Sequence, residues 1–94
     1  MAIFKENDVV TLKSISGDEI VAKVIEIQDN HGYLVSKPHG VMMGDKGFGL
    51  VPWILTVAPD EKIFINWAAI ASISKTHDAV KAEYIKQTTG LIVR

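Results

Sequence analysis

Two short segments of this chain carry side chains suited to reading a nucleic-acid base. Asp29-Asn30-His31-Gly32 sets an imidazole beside a carboxamide. A ring such as that of His31 stacks on a base, and an amide such as that of Asn30 can bond a base edge. Asn66-Trp67 offers the same combination of amide and ring, followed by the small residues Ala68 and Ala69. Lys37 and Lys46 are the lysines that could meet phosphate. Each segment also has a plainer reading. Asp, Asn and Gly favour hairpin turns through local hydrogen bonding, and Trp often anchors a core or an interface. The residues alone leave both readings open.

Other chemistry finds less support. His31, His39 and His77 fall at no metal-ligand spacing, and the expectation is three unrelated surface or loop histidines with no metal. There is no Gly-x-Ser-x-Gly elbow. Gly44-Asp45-Lys46-Gly47-Phe48-Gly49 is glycine-rich but lacks the Lys-Ser/Thr pair and strand-to-helix setting of a phosphate loop. The chain has no cysteine, which removes thiolate metal sites, disulfides and cysteine nucleophiles together. The reading is a non-enzyme without catalytic residues or cofactor.

The bulk numbers set the frame. Ninety-four residues make one domain, 1–94, with a modest core. A formal charge of −1 lacks the basic excess usual in nucleic-acid-binding domains. Apolar residues at 48% and charged residues at 22% describe a globular chain. No apolar run approaches the length of a membrane span. Met1 to Glu6 shows no basic region followed by an apolar core, so the expected location is cytoplasmic, with no membrane partner.

The candidate side chains need elements to hold them. Val9 to Ile15 is β-branched and reads as a strand, with Val10 and Leu12 on one face. Ser16-Gly17-Asp18 turns into a long strand from Glu19 to Gln28. There the pattern changes phase: Ile20, Ala22 and Val24 share a face, and Ile25 and Ile27 break it. A bent or bulged strand accommodates both sets. Tyr33 to Ser36 resumes a strand, and Pro38 limits its pairing. Gly40 to Gly49 reads as a flexible loop or hairpin tip. Leu50 to Ala58 is the most apolar run and reads as a strand. Ile63 to Asn66 and Ala69 to Ser74 follow. From about 77 to 87 the pattern turns helical, with Val80 and Tyr84 on one face. Thr76 or Asp78 can cap its start and Gly90 its end. Leu91-Ile92-Val93 forms an apolar tail, docked or donated to a neighbour. The sum is an all-β fold: a small, strongly bent, five-stranded antiparallel barrel over about 8–75 with a C-terminal helix.

This pattern resembles a known superfamily. Leu12-x-x-Ile15-x-Gly17-Asp18-x-Ile20-x-Ala22-x-Val24-x-Glu26 is similar to the first Sm motif, and Ile63-Phe64-Ile65-Asn66-Trp67-Ala68-Ala69-Ile70-Ala71-Ser72-Ile73 to the second. Pro52-Trp53 and the Ala79 to Tyr84 segment resemble a group of small phage-type members. The resemblance to the Sm-like (LSm/Hfq-like) superfamily spans roughly 8–87. It implies an SH3-like barrel, ring-forming homo-oligomers and single-stranded RNA as ligand. Aligned on Tyr33-Leu34-Val35, Asn30 takes the family's stacking position and Gly32 its base-reading one. A shift of one or two residues brings His31 or Asn30 into play. Asn66-Trp67 stands where the family offers Arg-Gly.

Two functions follow as expectations. The first is a homo-oligomeric binding protein for single-stranded RNA with altered base preference, using Asn30, His31, Asn66 and Trp67 near a pore and Lys37 or Lys46 on phosphate. Trp53, Ile54, Leu55 and Phe64 would form the subunit interface, and truncating Trp53 would weaken assembly. The second is a structural or adaptor module that binds a protein partner through a sheet edge.

Overall fold

The protein is described over residues 3–90 by a computed structural model. Leu91-Ile92-Val93 lies outside the described residues. Among the described residues six strands precede one helix: β1 (Val9–Ser14), β2 (Glu19–Gln28), β3 (Gly32–Gly44), β4 (Gly47–Pro52), β5 (Lys62–Asn66), β6 (Ile70–Lys75) and α1 (Asp78–Thr89). A single 3₁₀ turn, Trp67–Ala69, separates β5 from β6. All pairings are antiparallel, in the order β4-β3-β2-β1-β6, with β5 also on β3.

The five-stranded barrel expected from the sequence is therefore corrected, among the described residues, to six strands in a sheet that does not close. There β4, β5 and β6 each pair on one side. The reason lies in β3, whose 13 residues serve two partners in succession. Gly32 to Ser36 pair with β5, and His39 to Gly44 pair with β4. The change of partner falls at Lys37-Pro38, where proline lacks an N–H and Lys37 takes a left-handed φ of 50°. Opposite them, the β2–β3 register slips between Val21 and Lys23.

A second slip, between Val24 and Glu26, accounts for the phase change in β2. Val24 faces Val35 and Glu26 faces Leu34, so Ile25 is the extra residue of a bulge. Past it, Ile27 returns to the side of Val24 and packs with Phe4, Val10 and Tyr33.

Of the two readings of Gly40 to Gly49, flexible loop or hairpin tip, the structure has the hairpin, whose ladder runs to Gly44 opposite Gly47. One further expectation changes. The apolar run after Leu50 stops being a strand at Pro52, and 53–61 is irregular. Trp53 still donates its backbone N–H to the Pro38 carbonyl at 2.9 Å before the chain departs.

The sheet buries both faces. On one, Leu12, Ile20, Ala22, Val35 and Ile65 form a cluster that Trp53 and Ile63 pack against. On the other, Val9, Val21 and Leu50 meet Tyr84, with Val80 and Ile85 beside it. Each fully buried Leu, Ile or Val contributes about 1.5–3 kcal/mol relative to exposure. The helix starts not at a Thr76 or Asp78 cap but at His77, whose Nδ1 accepts the Ala79 N–H at 3.1 Å. It ends at Gly90, in the left-handed conformation at φ 71°, as its sequence position predicts.

Candidate nucleic-acid interface

The turn before β3 and the corner after β5 are built separately and then joined. Asn30 holds φ 65°, which Asn tolerates better than most residues. The His31 N–H closes the turn on the Gln28 carbonyl at 3.0 Å. At the corner, the Asn66 side-chain oxygen accepts the Ala68 N–H at 2.8 Å and fixes the 3₁₀ turn. This local bond explains why Asn suits the position.

The join is the β3–β5 ladder, in which Gly32 lies opposite Asn66. Its last rung is the Trp67 N–H donating to the His31 carbonyl at 2.9 Å. Asn30, His31, Asn66 and Trp67, from segments more than thirty residues apart, thus share one end of the sheet. His31 is exposed and Trp67 is 39% exposed. The Trp67 ring is propped against Tyr33 at 6.0 Å between centroids, and Tyr33 meets Phe4 edge-on at 5.4 Å. The corner holds a braced, half-open ring, an exposed imidazole and amide groups, a set suited to stacking and edge bonding.

Neither lysine belongs to it. Lys37 stands five residues along β3 from Gly32, roughly 16 Å at the usual rise. Its ammonium donates to the Thr88 carbonyl at 2.8 Å, at the helix C-terminus. Lys46 sits at the exposed tip of the β3–β4 hairpin, farther still.

The expected interface residues divide. Phe64 projects from β5 and is 44% exposed, between the inward-facing Ile63 and Ile65. Leu55 is 82% exposed in the irregular segment, and Ile54 borders a cavity there. Trp53 instead packs against this chain's own core, and its indole N–H reaches Asp18 Oδ2 at 3.3 Å.

Two residues of consequence were not anticipated. Tyr33 supports Trp67, which only the β3–β5 register reveals. His39 was expected at the surface or in a loop but is 9% exposed. Its position inside β3, next to the proline where the strand changes partner, was the available signal. Among the described residues no three His, Asp or Glu side chains cluster as metal ligands, and no helix is long and apolar enough to cross a membrane. No known protein family matches the chain, and no curated protein does.

Proposed function

We propose that the chain is a non-enzymatic, self-assembling binding module of the Sm-like kind, with the corner at His31 and Trp67 taking a base of single-stranded RNA. The observation that carries this reading is the hydrogen bond from the Trp67 N–H to the His31 carbonyl, which ties the two base-suited segments together. In the resemblance these are the two motifs that meet the ligand. With Lys37 and Lys46 elsewhere, stacking rather than phosphate contact supplies most of the affinity.

The test is a titration with oligo-A and oligo-U at low salt. Binding is expected, and Trp67→Ala should weaken it by about 1–3 kcal/mol, the usual value of one stacked base. A shallow salt dependence is expected as well, because few phosphates are neutralised. Failure of every RNA to bind at low salt would overturn the reading.

A second reading, a protein adaptor, is favoured by the exposure of Leu55 and Met43, 82% and 79%, on a chain of net charge −1. A protein partner retained after nuclease treatment, by a chain that binds no RNA, would select it.

A further inference from the structure

A cavity of about 350 Å³ lies between the irregular segment 53–61 and the end of α1, away from the His31 corner. Pro38, Pro52, Ile54, Leu55, Val57 and Ile63 give it apolar walls. His39 also lines it, nine-tenths buried. The two sites share β3 but stand seven residues apart on it, roughly 23 Å at the usual rise.

The tautomer of His39 follows from its partner. Nδ1 lies 2.7 Å from the Lys37 carbonyl oxygen. A carbonyl only accepts, so Nδ1 carries the proton, and in the neutral ring Nε2 is a bare acceptor. The ring is held edge-on to Tyr84, with centroids 5.7 Å apart and planes at 90°. The Tyr84 hydroxyl donates to the Ser36 and Lys37 carbonyls, both at 3.0 Å, so one carbonyl fixes both side chains. Lys37 itself sits at φ 50°, a strained conformation for a side chain of its size. A ring clamped so firmly, with one nitrogen left over, is preorganised to bind.

Nε2 makes no hydrogen bond within the described protein. No fully buried side-chain nitrogen or oxygen among the described residues lacks a partner, so Nε2 is not wholly enclosed by protein atoms. Of the other polar side chains of the cavity wall, Lys37, Gln87 and Thr88 are engaged, and Glu61 adds a carboxylate at the rim. The Lys37 ammonium is on the Thr88 carbonyl at 2.8 Å, the Gln87 amide donates to the Leu50 carbonyl at 2.6 Å, and the Thr88 hydroxyl donates to the Tyr84 carbonyl at 2.8 Å.

From this we infer that the cavity is a binding site for a small apolar molecule with one hydroxyl donor, of the phenol class, whose O–H bonds His39 Nε2 while its ring fills the apolar walls. The volume falls in the range of small-ligand pockets, and such sites combine apolar walls with few placed polar atoms.

The test compares p-cresol with toluene, which have similar shape and differ in the hydroxyl. Both are titrated into the protein labelled with ¹⁵N in its histidines. Binding of p-cresol should shift His39 Nε2 and be roughly fivefold to tenfold tighter than that of toluene, the worth of one net hydrogen bond. In His39→Phe the preference should vanish while toluene still binds. In Trp67→Ala both affinities should stay unchanged, which separates this site from the RNA corner. Equal affinity for the two compounds, or no binding of either up to its solubility limit, would overturn the proposal. If His39→Phe does not fold, the Nε2 shift in the unaltered protein decides: present with p-cresol alone supports the site, and absent with p-cresol refutes it.

Discussion

A methyl group added at Gly32 would strike the carbonyl oxygen of Ile65 and sit 3.0 Å from the Cα of Asn66. Both neighbours are backbone, so neither can swing aside. Gly32→Ala should push β5 from β3 and destabilise the protein by about 1–3 kcal/mol, as overpacking does. Urea unfolding measures that loss. Trp67 emission should shift to the red in the folded protein, because the bond to His31 opens and the ring loses Tyr33. Unchanged emission and stability would refute the close approach. Tyr84 gives a second prediction. Burial pushes its hydroxyl from the ordinary 10.0 up to about 12. The folded state thus holds the proton that the unfolded state releases first. Stability from this group is fully present below pH 10 and is lost as pH rises through about 12. Tyr84→Phe should be less stable at neutral pH by about 1–3 kcal/mol, since two half-buried carbonyls lose a donor. Its denaturation curve should fall less steeply than that of the unaltered protein above pH 10. Parallel curves would refute the role assigned to Tyr84.

Strands explain what the sequence could and could not disclose. The bend in β2 was legible because Ile25 and Ile27 break the alternation of Ile20, Ala22 and Val24, and a bulge at Ile25 is the physical answer. β4 was half legible, because Gly44, Gly47 and Gly49 fit a flexible loop as well as the hairpin tip whose ladder their backbones complete. The Leu50 to Ala58 run misled in the opposite sense. Its apolar residues suggested a strand, yet beyond Pro52 they turn toward a cavity and solvent. The same departure carries Trp53 onto the cluster of Leu12, Ile20, Ala22, Val35 and Ile65. Trp53→Ala should therefore unfold the subunit before it loosens any assembly. The expected loss is about 2–4 kcal/mol, below the upper end for a fully buried Trp. Denaturation at several protein concentrations checks this. A loss that grows on dilution would return Trp53 to a subunit interface.

At the scale of the whole molecule, the turn and the corner were each visible in the sequence as base-suited residues. Their adjacency was not, since it depends on pairing Gly32 with Asn66 across 33 intervening residues. Among the described residues β4, β5 and β6 each pair on one side only, which is likewise invisible until the ladder is known. Unlike edges on one sheet permit head-to-tail pairing between copies, which closes into a ring where the rotation allows. Light scattering is expected to give a single multimeric mass. Phe64→Lys, which puts a charge on the half-exposed edge residue, should reduce it to that of a monomer with cooperative unfolding retained. A monomeric mass for the unaltered protein would remove the ring and leave the corner to act alone.

The contact between Gly32 and the Ile65 carbonyl also constrains drift of the sequence over generations. A change at Gly32 is filtered by folding itself, whatever the ligand. His31 and Trp67, exposed at the same corner, meet no such backbone obstacle, so changes there are filtered chiefly through the proposed binding. The lineage of this chain should therefore keep its glycine while the rings beside it are exchanged. One rigid hinge of backbone would then host a succession of binding preferences.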